Sequence, residues 1–329
     1  MRTLALVGYG LRLGVDNGML VVTGRGVEGK KRFSPVDIDE IIVNGGVSIT
    51  SKALRLAAES GIPIYIICGR GELLSTLHPA YAVKTVESRR GQYKAHDTIE
   101  GLYITRCLVK SKILNQKNCI EKLYSLSNEK PREAIEYLNE KAGEAEKTPW
   151  MGGDWRRRLR HVEAEAARMY WSTLSLVLPG ELGFEGRNPD SQDPFNTSLN
   201  YLYAILYGRG FTSLVIAGLD PYAGVFHVDK SGRESLVYDF TDPLKPVIDY
   251  MLARSFMKGL EIRVEDGFLD QESKQELLKL NTSINKVRVK LGSGAAVFFE
   301  DSIRILAFKL SRYFRNPSSL DESFTLDWG

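Results

Sequence analysis

Cysteine is scarce in these 329 residues: Cys68, Cys107 and Cys119 are the only three, and no two stand in a C-x-x-C spacing. A scattered, odd set gives no disulfide framework and points to reduced thiols used as small packed side chains. Four histidines, none beside a cysteine pair, give no structural zinc pattern. No stretch approaches the roughly 18 consecutive apolar residues of a membrane helix, so no membrane contact is expected. The start, MRTLALVGYGLRLGV, has neither an unbroken apolar segment nor a small-residue cleavage site, so no signal peptide is read there. Net charge is nearly absent too, at +3, and by itself does not announce a nucleic-acid protein. These absences predict a soluble, cytoplasmic chain.

What is present suits two domains. A 43% hydrophobic content is enough for real cores at this length. Residues 1–85 read as β-rich, because TLALV, GLRLGV, MLVVTG and DIDEIIVN are short β-branched runs separated by Gly, Asn and Asp. VDNGML carries Asn-Gly between two such runs, a hairpin signal. SITSKALRLAAESG reads as a helix capped by Thr50 or Ser51, with Leu54, Ala57 and Ala58 inward and Gly61 ending it. IPIYIIC follows as a buried strand. Residues 86–97 belong to a charged, weakly patterned stretch and are assigned to a linker. Residues 98–329 turn helical, starting with GLYITRCLVKSKILNQKNCIEKLY and ending with AAVFFEDSIRILAFKLSRYF. The predicted class is α+β: an N-terminal β-rich domain followed by a larger, mostly α-helical one.

Two glycine patterns lead nowhere. GYGLRLG has Leu13 where a dinucleotide fingerprint needs its third glycine, and no helix pattern follows. NGGVSITSKALRL lacks the Gly-Lys-Ser/Thr of a phosphate loop, so a plain turn is the better reading. Basic residues are more informative, because they cluster. Arg156, Arg157, Arg158 and Arg160 form one group, Lys110, Lys112 and Lys117 another, and Lys286, Arg288 and Lys290 a third. Each could be a solvated helix face; several on one domain favour phosphate contacts.

RHVEAEAARMYW, Arg160 to Trp171, poses a sharper question. On a helix Glu163 shares a small apolar face with Ala166, Ala167 and Tyr170, whereas Glu165 can pair with Arg168 at the surface. An acid turned inward needs a partner, either a neighbouring base or a metal ion. GLDPYAGVFHVDKSGRESLVYDFTDPLKP supplies candidates in His227, Lys230, Asp239, Asp242 and Lys245. Each also has an ordinary explanation; Asp242 before Pro243, for example, looks like a helix cap. Together, carboxylate and imidazole donors suit Mg²⁺ or Mn²⁺ with positions left for phosphate and water.

These segments resemble a known family, the CRISPR-associated integrase of spacer acquisition, Cas1. DIDEIIVNGGVSITSKALRLAAESGIPI resembles its β-domain core and VKSKILNQ its first long helix. EAEAARMYW is similar to the motif E-G-x-A-A-R-x-Y-F, with Ala164 in place of glycine. RNPDSQDPFNTSLNYLYAILYG, GLDPYAGVFH and SLVYDFTDPLKP follow in family order over nearly the whole chain. The resemblance implies metal ligands at Glu163, His227 and Asp242, a further acid at Asp239, and site-lining bases at Lys230 and Lys245. Arg187, Asn196 and Tyr203 fall in matched stretches and are assigned to DNA contact.

It further implies a homodimer paired through the β domains, assembly with the small partner Cas2, and action on double-stranded and branched DNA. The implied chemistry is metal-dependent transesterification by a DNA 3′-hydroxyl, which inserts foreign fragments as new spacers. A metal-dependent nuclease without integration activity is the alternative enzyme. A DNA-binding scaffold without metal dependence is the non-enzymatic one.

Overall fold

In a computed structural model of the chain, the described residues are 3–69, 71–78, 86–125, 131–150, 154–227, 232–292, 294–319 and 324–328. Strands come first: β1 (Thr3–Val7), β2 (Leu11–Asp16), β3 (Met19–Gly24), β4 (Lys31–Phe33), β5 (Glu40–Asn44) and β6 (Val47–Ile49). Helix α1 (Ser51–Glu59) then leads to β7 (Ile64–Ile67) and β8 (Leu73–Leu77). One sheet has the order β1-β5-β7-β8, parallel except for β8, and the other has the order β4-β3-β2-β6. The Asn-Gly signal is the β2–β3 turn, where Asn17 and Gly18 take φ of 50° and 73°. Thr50 caps α1 by accepting from the Ala53 N–H. The face of α1 that is buried carries Ala53 and Ala57, while Ala58 points outward, one position off the expected stripe.

The first sheet faces two cores. Ile41, Val43 and Ile64 pack with Leu4, Leu13 and Ala57 in an N-terminal core. Ile42, Tyr65 and Ile67, on alternate positions, belong to the large core of the helical region. The side-chain period of two along a strand makes this division, and the apolar run in β5 reflects burial on both sides. Helix approach is close: a Cβ at Gly208 would lie 2.7 Å from the Tyr65 ring. A buried ion pair ties the same junction, with Arg209 Nε donating to Glu40 Oε2 at 2.8 Å and Nη2 to Oε1 at 2.5 Å.

Residues 86–97, assigned to a linker, form α2 (Val86–His96) instead. The buried positions of α2 are Ser88, Gln92 and Ala95, spaced four and three apart. Ser88 hydrogen-bonds Ser311 at 2.8 Å, and Gln92 Nε2 donates to the carbonyls of Asp220 and Ala223 at 2.8 and 2.7 Å. A helix whose inner face is polar has no hydrophobic period to read, which is why the stretch looked unstructured.

The remaining elements are α3 (Ile99–Tyr124), α4 (Arg132–Glu146), α5 (Asp154–Ser175), α6 (Pro194–Ile216), α7 (Ser235–Thr241) and α8 (Lys245–Met257). After them come β9 (Val264–Glu265), β10 (Phe268–Leu269), α9 (Gln271–Asn285), β11 (Arg288–Leu291), β12 (Ala296–Phe298), α10 (Phe299–Arg315) and β13 (Leu326–Trp328). Helix α6 begins at a strong signal: the Asp193 side chain accepts from the Asn196 N–H, and Pro194 stands at the first helical position. AVF, expected to lie near the start of the last helix, is strand β12, paired to β11 in a small sheet that also holds β13. The class is therefore α+β, strand-rich first and mostly helical after, as expected. Among the described residues, no helix is long and apolar enough to cross a membrane.

Candidate metal and nucleic-acid site

Glu163 lies midway along α5, between the fully buried Val162 and Ala166, and its side chain is only 16% exposed. Its partner is Lys112 of α3, whose Nζ donates to Glu163 Oε1 at 2.5 Å and to Asp242 Oδ2 at 2.7 Å. Asp242 opens a single 3-10 turn between α7 and α8, and its other oxygen accepts from Lys245 Nζ at 2.5 Å. Two acids from distant segments thus share one ammonium group. Burial opposes ionisation of Asp242, but the adjacent Lys112 and Lys245 charges outweigh it and hold the carboxyl well below its usual range. Burial likewise disfavours a charged Lys112, and the Asp242 and Glu163 carboxylates reverse that, raising its pKa.

His227 is set beside them by Asp239. One Asp239 oxygen accepts from the His227 N–H at 2.9 Å and meets the imidazole Nδ1 at 2.6 Å. The other accepts from the N–H groups of Val225 and Phe226 at 2.7 and 3.0 Å. Gly224 permits this wrap, because a Cβ there would sit 2.7 Å from Ser235 Cβ and 3.1 Å from an Asp239 oxygen. Arg156 adds a bond from Nε to the Val225 carbonyl at 2.9 Å. Burial lowers the pKa of His227, but the hydrogen bond and charge of Asp239 prevail and raise it. With Nδ1 taken, Nε2 is the ring nitrogen available to a ligand.

Lys112, Glu163, His227, Asp239 and Asp242 line one small cavity, closed on its apolar side by Leu108, Val109 and Phe226. His227 and Asp242 also border a cleft of about 550 Å³, with Arg187, Tyr203, Tyr238 and Lys245 on its walls and Gly71 to Leu74 at its far side. The three expected ligands are therefore neighbours, yet they are not a ready coordination shell. Among the described residues, no three His, Cys, Asp or Glu side chains stand close enough to hold a metal ion. The Lys112 ammonium lies between the two carboxylates.

The donor set still fits a divalent cation. It offers two carboxylates, already paired around a positive charge, and an imidazole whose second nitrogen is fixed by an acid. That is the orientation found behind metal-bound histidines.

Other expected site residues have different duties. Asp239 is 2% exposed, and its oxygens are engaged with the 225–227 backbone and the His227 ring, so it orients that histidine. Asn196 is 1% exposed; it accepts from Arg187 and the Asn188 N–H, and donates to Asp193 and the Gly186 carbonyl. It holds the loop that presents Arg187 instead of facing a ligand. The Tyr203 hydroxyl donates to Asp249 at 2.5 Å, while the ring lies under Lys245 and Arg187 at 5.0 and 5.5 Å from its centroid. Lys230 lies outside the described residues.

Two partners differ from expectation. Glu165 pairs with Lys141 at 2.7 Å and His161 at 3.4 Å, not with Arg168, because α4 packs alongside α5 and brings Lys141 within reach. Lys112 was read as one of a row of phosphate contacts. Its inward position had no signal beyond its place inside the VKSKILNQ motif.

Comparison with known proteins comes next to this geometry. Residues 4–287 match the family model described as CRISPR associated protein Cas1. CRISPR-associated endonuclease Cas1 2 of Saccharolobus solfataricus is 35% identical over 280 residues, covering 85% of this chain and 83% of that protein. Among solved structures, a casposase bound to integration product aligns with a TM-score of 0.83 at 23% identity, covering 99% of this chain and 93% of the other. A chain of a Cas6-RT-Cas1–Cas2 complex aligns at 0.76 and 19% identity, covering 98% of this chain and 35% of that one. At these identities the structural likenesses establish a shared fold.

Proposed function

This chain belongs to the CRISPR-associated Cas1 family, and from that premise we propose that it is a DNA endonuclease and integrase that inserts foreign fragments as new spacers into a CRISPR array. The observation that carries the proposal is the convergence of Glu163, Asp242 and His227 on one cavity at the edge of a basic, aromatic cleft. Relatives named as endonucleases, and the casposase captured with an integration product, support nuclease and joining chemistry on this fold.

Glu163, Asp242 and the Nε2 of His227 would hold Mg²⁺ or Mn²⁺, which supplies Lewis-acid stabilisation of the charge that develops on the phosphodiester. Every other part of the reaction falls to the chain's own groups. Lys245 and Arg187 neutralise the phosphate backbone in the cleft, and Lys230 is assigned to the same duty. Asp239 fixes the imidazole so that Nε2 stays turned toward the position the cation would take. Lys245 also keeps Asp242 ionised, as does Lys112. In joining, a DNA 3′-hydroxyl oxygen forms a new bond to phosphorus as the bond to the departing 3′ oxygen breaks. The nucleophile's proton passes to the departing oxygen or to solvent. With water as nucleophile the same displacement is cleavage, so branched and double-stranded DNA are both substrates of one site.

Partners follow the same reading: Cas2, for which the complex named above is the support, and a second copy of this chain. Insertion needs a cut on each strand, and a twofold pair places two sites at a fixed separation. The pairing surface is assigned to residues 1–85, which carry strand edges and no catalytic cluster. The cytoplasm is the compartment in which all three would meet.

The test is joining of a labelled duplex to a repeat-bearing plasmid in Mn²⁺. Wild type should give covalently joined product, and Glu163→Ala should give none. Joining by Glu163→Ala at the wild-type rate would overturn the proposal. Cleavage without joining in wild type would favour the nuclease alternative.

A further inference from the structure

One buried amide lies behind the site. Asn115 is one helical turn beyond Lys112 on α3 and is fully buried. Its Nδ2 donates to the Pro243 carbonyl at 2.7 Å and to the Phe324 carbonyl at 3.1 Å, and its Oδ1 accepts from the Leu326 N–H at 2.7 Å. Pro243 directly follows Asp242 inside the 3-10 turn. The i+3 donor to its carbonyl in such a turn would be residue 246, which is a proline and has no N–H. Asn115 provides a donor where the backbone has none at that position.

The strand on its other side is held firmly. β13 pairs with β11, Phe324, Leu326 and Trp328 are each at most 2% exposed, and Asn118 Nδ2 donates to the Leu326 carbonyl at 2.9 Å. Residues 288–329 lie outside the span matched by the family model, yet this segment completes the support behind Asp242.

We propose that Asn115 is a positioning residue for Asp242, anchoring the 242–244 turn to the C-terminal strand so that the carboxylate is held toward Glu163 and His227. The proposal rests on the reading of those three residues as a cation site. Helix α3 then serves Asp242 twice, through Lys112 at its carboxylate and through Asn115 at the backbone that follows it.

The test uses the full chain and Mn²⁺ as probe, with binding read by electron paramagnetic resonance of the free ion and DNA joining read in parallel. Asn115→Leu, of similar volume, should weaken Mn²⁺ binding by about tenfold or more, as loss of a support behind a ligand does. It should lower kcat for joining while KM for DNA stays near wild type. Adding Pro246→Ala restores an N–H within reach of the Pro243 carbonyl and should recover much of both losses. Asn118→Ala, which removes one bond to β13 but leaves Asn115 and its contact with Pro243 in place, should weaken Mn²⁺ binding far less than Asn115→Leu does, and an equal loss would overturn the inference.

Asn115→Asp guards against trivial electrostatics: an added negative charge would tighten cation binding, so weaker binding in that variant also supports positioning. A folded Asn115→Leu chain with wild-type Mn²⁺ affinity overturns the inference. So does a loss that Pro246→Ala fails to relieve, because that is the outcome of general destabilisation. If Asn115→Leu alone does not fold, the double variant decides by the same two readouts, and failure of the double variant to fold overturns the inference. Wild-type protein that binds no Mn²⁺ would overturn the site reading itself, a result distinct from normal wild-type binding with an insensitive Asn115.

Discussion

Arg209 and Lys112 are both buried against acids, and they do opposite things. Arg209 meets Glu40 through two parallel bonds and turns its remaining nitrogen to Asn281 and Asn285, at 3.3 and 2.5 Å. Thr3 donates to the same Glu40 at 2.7 Å, and Glu40 is fully buried. The planar guanidinium matches a carboxylate edge to edge, and nothing there opens to a ligand. Lys112 instead is a point charge between two acids, in a cavity beside a histidine and next to a cleft. Arg209 locks the N-terminal sheet to α6, whereas under the proposed function Lys112 holds a place that a divalent cation would take. Burial of charge is common to both; access and the donors left over separate a fastening from a site.

Breaking each pair should therefore give different phenotypes. Arg209→Ala leaves Glu40 charged, buried and unpaired, which costs on the order of 3–5 kcal/mol. Denaturant melts should show that loss, with joining reduced only as far as folded protein is lost. A chain cut to start near Thr98 suffers the reverse orphaning, an unpaired Arg209 and the bared side of the large core, so it should be far less stable than full-length protein. Glu163→Ala should do little to stability, since Lys112 keeps Asp242. It should still reduce joining by about a thousandfold or more, several kcal/mol of lost charge stabilisation. A melting point that falls as far as that of Arg209→Ala would make Glu163 a second fastening.

How much of this contrast was legible in the chain depends on what each residue is packed against. The N-terminal strands, the Asn-Gly hairpin and the Thr50 helix start could be read because apolar alternation and cap chemistry are local. Glu163 could be read as inward because its helix neighbours Ala166 and Tyr170 are apolar. Helix α2 was hidden by the polar residues on its buried face, Ser88 and Gln92. Lys112 was hidden because a lysine on a helix is ordinarily solvated, and only the approach of α5 and the 242–244 turn makes it internal. Asp239 was visible as an acid, but its duty as a clamp on three backbone N–H groups depends on tertiary structure. The family resemblance singled out these residues, and the geometry shows which lie together and which brace their neighbours.

A smaller effect concerns Asp249, which accepts from the hydroxyls of Tyr203 and Tyr170 beneath the cleft. Burial lifts its pKa from 3.8 to about 6, although those two hydrogen bonds and the charges of Lys245 and Arg187 pull the other way. A folded-state pKa above the unfolded value means that stability is full below about pH 4 and is lost as pH rises through about 6. Asp249→Asn removes that loss. The variant should melt a few degrees higher than wild type at pH 7, with the difference vanishing near pH 4. Equal melting points at pH 7 would show that the tyrosine hydrogen bonds fully offset burial.

Smallest is Lys245→Ala. It should weaken DNA binding several-fold at low salt and reduce the slope of log affinity against log salt by about one. An unchanged slope would place the DNA backbone elsewhere.

The account turns on Lys112 marking the seat of a divalent cation, and Mn²⁺ titration of full-length wild type, Lys112→Gln and Glu163→Gln tests that claim most directly. Wild type should bind Mn²⁺, Lys112→Gln should bind it more tightly because the competing ammonium is gone, and Glu163→Gln should bind it more weakly. No binding in wild type or in Lys112→Gln would contradict the account and make this cluster, like that of Arg209, a fastening.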